Sequence, residues 1–105
     1  MMRLRVLAQR AEEVVLKVEG RIQLLEEAGV LIGEGQRWLR QGRRLVLDLA
    51  GLQAIGPAGL VVLQCWQMAG KPVVLRGGSR VLQALLRFHG LPPEEDLQFM
   101  HGCPM

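Results

Sequence analysis

The stretch that decides the fold is RLVLDLAGLQAIGPAGLVVLQCWQMAG, residues 44–70. Residues 45–49 within it are apolar except for Asp48, which is typical of a buried strand. Three glycines and a proline then interrupt the pattern, and residues 60–69 follow as an uncharged, mainly apolar helix. Another apolar run, residues 71–76, predicts a second strand. Two strands joined by a helix of this length predict a right-handed parallel β–α–β unit.

The sequence on either side of this unit predicts the rest of an α/β domain. The additional elements are strands over residues 2–7, 12–18 and 97–100 and helices over residues 24–41 and 79–89. The first two strands are close enough in sequence to form an antiparallel hairpin, so we expect a mixed sheet with helices packed against it. We expect a single domain over residues 1–105, with a core of about residues 2–100 and a short tail over residues 101–105.

Each predicted helix has an apolar face that assigns its core residues. The first helix is expected to bury Ala28, Leu31, Ile32, Gly35, Trp38 and Leu39. The second is expected to bury Val62, Trp66 and Ala69 and to expose Leu60, Gln64 and Gln67. The third is expected to bury Val81, Leu82, Leu85 and Phe88. It starts after Ser79, a suitable N-cap, and ends at Gly90.

Composition argues against several classes of protein. Half of the 105 residues are apolar, which argues against disorder, and no apolar window is long enough to cross a bilayer. The N-terminus lacks the continuous apolar segment of a signal peptide. Cys65 and Cys103 form neither a metal-ligand spacing nor a disulfide framework. We therefore expect a cytoplasmic, reduced protein with no membrane span and no cofactor.

Arginines cluster where the first predicted helix ends, at positions 37, 40, 43 and 44. With a net charge of +3, such a cluster could bind a nucleic acid or an anionic lipid. Cations near a helix C-terminus also offset the helix dipole, and two Trp and two Phe residues give little aromatic surface for stacking bases. We favour the structural interpretation. A basic nucleic-acid-binding module is the least favoured alternative.

No arrangement of side chains indicates catalysis. Ser79 and His89 bracket one predicted helix about 15 Å apart, which is too far for a nucleophile and its base. Cys65 has no histidine near it in sequence, so we expect an inert core residue. Asp48 is expected to accept hydrogen bonds from backbone amides. His89 and His101 lack the spacing of metal ligands, so we expect neither an enzyme nor a metal site.

Two short motifs in the opening stretch carry a family resemblance. The first strand ends in Asp48-Leu49-Ala50-Gly51, and the next helix opens with Gly56-Pro57-Ala58-Gly59-Leu60. These motifs resemble the Asp-Leu-Ser/Ala-Gly and Asp-Ser-Ser/Ala-Gly-Leu patterns of the STAS domain, the family of sulfate-transporter and anti-sigma-factor-antagonist domains. The resemblance covers about residues 12–91 and implies a STAS-like fold. The C-terminal helix that most members add is expected to be missing.

The chain departs from the family at the residue that matters for regulation. In members that act as phospho-switches, a kinase partner phosphorylates the serine before the glycine, beside an aspartate. Those two positions are Ala58 and Gly56 here, so the resemblance implies that the phosphorylation site is absent. Ser79 is the only Ser, Thr or Tyr in the chain, and we expect it to act as an N-cap.

The resemblance also implies a binding function. In the family, the loop over residues 55–59 and the helix after it meet a partner protein. The helix is uncharged here, which is typical of a protein interface. The residues expected to contact the partner are Gly56, Pro57, Ala58, Gly59, Leu60 and Gln64.

The preferred hypothesis is a non-catalytic, bacterial regulatory module similar to an anti-sigma factor antagonist, with an anti-sigma factor kinase as its partner. The alternative within the family is the accessory subunit of a lipid or toluene-tolerance ABC transporter, which would bind the transporter's ATPase. A homodimer is a further assembly that the apolar helix would allow.

Overall fold

Four strands and three helices make up residues 1–93, the part of the chain that the computed structural model describes. In chain order they are β1 (Met2–Gln9), β2 (Glu13–Ile22), α1 (Leu25–Leu39), β3 (Arg44–Ile55), α2 (Pro57–Met68), β4 (Val73–Arg76) and α3 (Arg80–Phe88). The strands lie in the order β1-β2-β3-β4. β1 pairs antiparallel with β2, whereas β3 pairs parallel with both β2 and β4. The predicted hairpin, the parallel β–α–β unit and the mixed α/β sheet are confirmed.

β3 is longer than the sequence pattern predicts. It continues to Ile55 because its ladder with β2 continues, from the pair Glu19 and Gly51 to the pair Ile22 and Ile55. A Cβ atom built on Gly51 would lie 2.9 Å from Cγ of Glu19, so a side chain there would crowd the neighbouring strand. Gly51 is therefore a strand residue and not part of a loop. The loop predicted over residues 55–59 shrinks to Gly56, since α2 already starts at Pro57.

One face of the sheet carries the main core, to which all three helices contribute. Its largest members include Leu16, Val18, Leu45, Leu47 and Leu49 of the sheet and Trp38, Trp66 and Leu86 of the helices. α1 and α2 are in close contact at Gly35, where a Cβ atom would lie 2.6 Å from Cζ2 of Trp66. The absence of a side chain at Gly35 therefore allows the Trp66 indole to fill the space between the two helices.

The opposite face of the sheet is charged. The strand register aligns Arg5, Lys17, Asp48 and Arg76 in one row across the four strands. Nε of Arg5 lies 3.4 Å and Nζ of Lys17 lies 3.6 Å from the carboxylate of Glu19. This face therefore contains both signs of charge in direct contact.

Several predicted burial assignments are wrong. Ile32 of α1 is 40% exposed, and Val81 and Phe88 of α3 are 81% and 84% exposed. Ala69, at the end of α2, is also exposed. α3 contacts the core through Leu82 and Leu86, which lie one helical turn apart, so its buried stripe is narrower than its apolar face. The assignments are confirmed for Ala28, Leu31, Gly35, Trp38, Val62, Trp66 and Leu82.

Some predictions fall outside residues 1–93. They are the strand over residues 97–100, the missing C-terminal helix, and the end of the core near residue 100 with the tail over residues 101–105. All of them stay predictions.

The carboxylate of Glu27 caps the start of α1, as one half of a capping box. The carboxylate of Glu27 accepts hydrogen bonds from the backbone N–H groups of Gln23, at 2.8 Å, and Leu24, at 2.9 Å. The hydrogen bonds from Leu24 and Gln23 lower the pKa of Glu27 below its ordinary value of 4.5. A lowered folded-state pKa means that the ionised carboxylate stabilises the fold above pH 4.5. This contribution is lost as the pH falls through the lowered value.

Two glycine substitutions in α1 should have opposite effects on stability. Gly35→Ala should lower the free energy of unfolding, because a methyl group there overpacks the buried Trp66 at a typical cost of about 1–3 kcal/mol. Gly33→Ala should raise it by about 1 kcal/mol, since no atom lies within 4 Å of a Cβ at that exposed position and alanine favours the helix. Urea denaturation of both variants measures the difference. An equally stable Gly35→Ala variant would contradict the close approach of α1 and α2.

Glu27→Gln should make the free energy of unfolding less dependent on pH. The variant should be less stable than the wild type near neutral pH, because glutamine lacks the charge that the first helical turn favours. The difference should shrink as the pH falls below 4.5 and through the lowered pKa of Glu27, where Glu27 itself becomes protonated. Urea midpoints at neutral pH and near pH 3 measure this change. Glu26→Gln is the matched control, and an equal loss of pH dependence in that variant would refute the role of Glu27.

Candidate protein-interaction surface

α2 begins directly on the ends of β2 and β3. Its N-cap residue, Gly56, donates its backbone N–H to the carbonyl oxygen of Ile22 at 2.7 Å. Pro57 occupies the first turn, where the N–H that proline lacks would have no helical partner. Gly59 is buried, and a Cβ atom there would lie 2.7 Å from Cγ1 of Ile55 and 2.8 Å from Cγ2 of Ile22. The two glycines therefore let the helix sit against both strand ends.

Ala58 lies in this first turn and not in a loop. Its methyl group is half-buried and packs against the core. The N-terminus of a helix favours negative charge, so the position would suit a phosphate group. Alanine, however, has no oxygen that could accept one.

The prediction that Leu60 is exposed is wrong. Only 9% of the residue is accessible, because it belongs to the core cluster under α2. Gln64 is half-buried, and its Nε2 lies 3.4 Å from the carbonyl oxygen of His89. Nε2 of Gln67 donates to the carbonyl oxygen of Gly90 at 2.6 Å. Gln67 is exposed, as predicted, although both glutamines form hydrogen bonds with carbonyl groups at the end of α3.

The exposed apolar face of α2 lies next to the face that carries Leu60 and Gln64. Pro57, Val61, Cys65 and Met68 follow one another at helical spacing, and all four are exposed. Val61 is 53% and Met68 86% exposed. Cys65 was expected to be an inert core residue, and this prediction is wrong because Trp66 and not Cys65 faces the core. The uncharged outer surface of α2 comes from these residues, which we call the α2 outer face.

A groove separates the α2 outer face from α3. Its volume is about 340 Å³. The residues that line it are Ile55, Pro57, Leu60, Val61, Gln64, Leu85 and His89. Apolar side chains line it on both sides, Pro57 and Val61 from α2 and Leu85 from α3, and α3 also exposes Val81 and Phe88. Of the predicted site residues, the structure brings Pro57, Leu60 and Gln64 together in this groove.

Three of the four clustered arginines have local partners. The guanidinium carbons of Arg37 and Arg43 lie 5.0 Å and 5.5 Å from the ring centre of Trp38, within the range of a cation–π contact. Arg37 also lies 3.8 Å from the Glu34 carboxylate. Arg44 lies 3.8 Å from the carboxylate of Glu13. These contacts agree with a structural role for the cluster at the C-terminal end of α1.

The other candidate groups also take part in local hydrogen bonds. Oγ of Ser79 accepts a hydrogen bond from the backbone N–H of Leu82 at 3.1 Å, which confirms the predicted N-cap. Oδ1 of Asp48 accepts one from the N–H of Ala50 at 3.0 Å. Over residues 1–93, no three His, Cys, Asp or Glu side chains are grouped so that they could hold a metal ion. No helix in the same range is long and apolar enough to cross a membrane.

A comparison with protein families decides the classification. The family model described as "Mlab, STAS domain" matches residues 6–93. The chain belongs to the STAS-domain family. The predicted family is therefore confirmed, together with the STAS-like fold. A comparison of this chain with curated protein sequences finds no match.

Solved structures share its fold at low sequence identity. The unphosphorylated anti-sigma factor antagonist SpoIIAA matches with a TM-score of 0.65 and 13% identity over 95% of this chain and 99% of its own. An anti-sigma factor antagonist from Mycobacterium paratuberculosis matches with a TM-score of 0.65 and 22% identity over 96% and 93%. A protein from Shewanella loihica PV-4 with a SpoIIAA-like fold matches with a TM-score of 0.55 and 13% identity over 83% and 75%. These likenesses show a common fold.

Proposed function

We propose that this STAS domain is a non-catalytic regulatory module that resembles an anti-sigma factor antagonist and binds a partner protein through residues 55–68. The observation that carries the proposal is the uncharged α2 outer face beside an apolar groove. Charged residues are depleted at the centres of protein interfaces, and exposed apolar patches commonly mark them. Membership of the STAS family supports the same conclusion, since the family includes anti-sigma factor antagonists.

The six predicted site residues take different parts in this proposal. Pro57 and Gln64 lie at the surface and would contact the partner, and Leu60 would form the floor of the groove. Gly56, Ala58 and Gly59 act by seating α2 on the strand ends. Val61 would contact the partner as well, because its side chain is exposed beside the groove.

Binding in this proposal is not regulated by serine phosphorylation. Ala58 has no hydroxyl group, and Ser79 is engaged as the N-cap of α3. The affinity for the partner is therefore expected to be the same whether or not the partner has kinase activity.

The leading partner is an anti-sigma factor kinase. The second candidate function, an accessory subunit of a lipid or toluene-tolerance ABC transporter, is favoured by the combination of an apolar surface with an absent phosphorylation site. Permanent interfaces are more hydrophobic than transient ones, and a permanent subunit needs no switch. The matching family model is also that of the Mlab STAS domains. Both candidates imply a cytoplasmic bacterial protein, and nucleic-acid binding has less support because three of the four clustered arginines have local partners.

Val61→Glu should abolish partner binding without unfolding the domain. A carboxylate at the centre of an apolar interface must lose its water, so we expect the captured partner to decrease about tenfold or more. The measurement is a pull-down from the source lysate with tagged domain, quantified by mass spectrometry. Val30→Glu on α1 is the matched control, since Val30 is 56% exposed and Val61 is 53% exposed. Circular dichroism checks that both variants are folded.

The same experiment separates the candidate functions. Recovery of an anti-sigma kinase would support the anti-sigma factor antagonist. Recovery of an ABC ATPase would support the accessory subunit of a transporter. An equal loss of partner in Val61→Glu and Val30→Glu would refute the assigned surface. With a kinase partner and ATP, only the Ala58→Ser variant should gain a phosphoryl group, and phosphorylation of the wild type at Ser79 would overturn the absence of a switch.

A further inference from the structure

The outer surface of α1 exposes a group of apolar side chains. Leu25, Val30 and Ile32 are exposed on the helix, and Leu24 is exposed at its N-cap. No other stretch of nine residues within residues 1–93 exposes as many large apolar side chains. Exposed apolar patches commonly mark interaction surfaces. This patch contains no residue of the α2 outer face or of the groove, so it indicates a second, separate surface.

Two glycines on the same surface have no packing role within the described chain. A Cβ atom built on Gly29 or Gly33 would meet nothing within 4 Å, in contrast to Gly35, which makes room for Trp66. Neither has a positive φ, so alanine could occupy both positions and would favour the helix. Glycine at such a position does allow the backbone of a second helix to come close. The two glycines therefore suit a contact between helices.

The charges on this surface have opposite signs at its two ends. An exposed stripe runs along α1 at helical spacing and consists of Glu26, Val30, Gly33 and Arg37. Glu26 forms no ion pair with another described residue. Arg37 lies 3.8 Å from Glu34, but its side chain is 63% exposed, and a guanidinium has several N–H donors. Both end residues can therefore pair with a group outside the domain.

The stripe is complementary to itself in the reverse direction. An α1 helix from a second copy can lie antiparallel to the first, related to it by a two-fold axis level with residues 31 and 32. Glu26 of each copy then lies opposite Arg37 of the other, and Val30 lies opposite Gly33. Each glycine leaves the space that the opposite valine fills, and each end of the contact joins opposite charges.

Other occupants match the stripe less well. Nucleic acids and anionic membranes are negatively charged along their whole surface, so they would attract Arg37 and repel Glu26. An unrelated protein would need its own apolar residues and charges in the matching order, whereas a second copy already carries them. A second copy is therefore the occupant that the pattern of charges favours.

We infer that two copies of this domain associate through antiparallel α1 helices, with Glu26 of each copy paired with Arg37 of the other and Val30 packed over Gly33. α1 spans 15 residues, or about 22 Å, which is short for the roughly 800 Å² per partner of a standard stable interface. The dimer is therefore weak and reversible. It goes beyond the proposed function, because its contact uses none of the residues assigned to the partner protein.

Analytical ultracentrifugation of the full chain at low salt, at concentrations up to about 1 mM, tests the inference. The wild type should form a dimer as its concentration rises. Glu26→Arg and Arg37→Glu each place like charges opposite each other at both ends of the contact, so each should raise the dimer Kd about tenfold. An equimolar mixture of these two variants should recover the wild-type Kd, because every contact between the two α1 helices then joins opposite charges. Glu12→Arg, at another exposed glutamate, is the matched control and should dimerise like the wild type.

Recovery in the mixture is the decisive result, since mixing two variants cannot repair a defect in the folding of either. Circular dichroism checks that each variant is folded. A wild type that stays monomeric at the highest concentration would overturn the inference. A dimer that is insensitive to both charge reversals, or that is lost in Val61→Glu, would place the second copy on another surface. Two weakened variants whose mixture stays monomeric would refute the antiparallel pairing of Glu26 with Arg37.

Discussion

The position of α2 depends on the contact between Gly59 and the side chains of Ile22 and Ile55. A side chain at Gly59 would overlap both, so the glycine sets how closely the helix approaches the ends of β2 and β3. The hydrogen bond from Gly56 to the carbonyl oxygen of Ile22 fixes the start of the helix at the same place. Once α2 is seated in this way, Trp66 fills the space beside Gly35, and Val61 is left on the outside.

This seating also explains why the surface beside α3 is both apolar and stable. The side chains of Gln64 and Gln67 donate to the carbonyl oxygens of His89 and Gly90, which anchors the end of α3 along α2. The groove lies between two helices that are joined at one end and packed on a common core. A partner would therefore meet a preformed surface, which lowers the ordering cost of binding.

Much of the fold could be predicted from the sequence, because apolar periodicity and glycine positions report local structure directly. The hairpin, the parallel unit and all three helices follow from these signals. The end of β3 could not be predicted, since Gly51 resembles a loop signal and only pairing with β2 makes it a strand residue. Of the candidate site, the uncharged helix could be predicted from the sequence, but not which of its residues are exposed. A helical wheel cannot show that Leu60 packs into the core or that the end of α3 contacts Gln64, and the exposed apolar residue beside the groove is Val61.

The central claim is that the surface formed by α2 and α3 holds the partner. Hydrogen exchange of the free domain and of its purified complex with the captured protein tests this claim most directly. The account predicts that binding slows exchange in the backbone amides of α2 and α3, while the exposed edge of β1 exchanges at an unchanged rate. Protection confined to β1 or to the charged face of the sheet, with α2 unaffected, would contradict it.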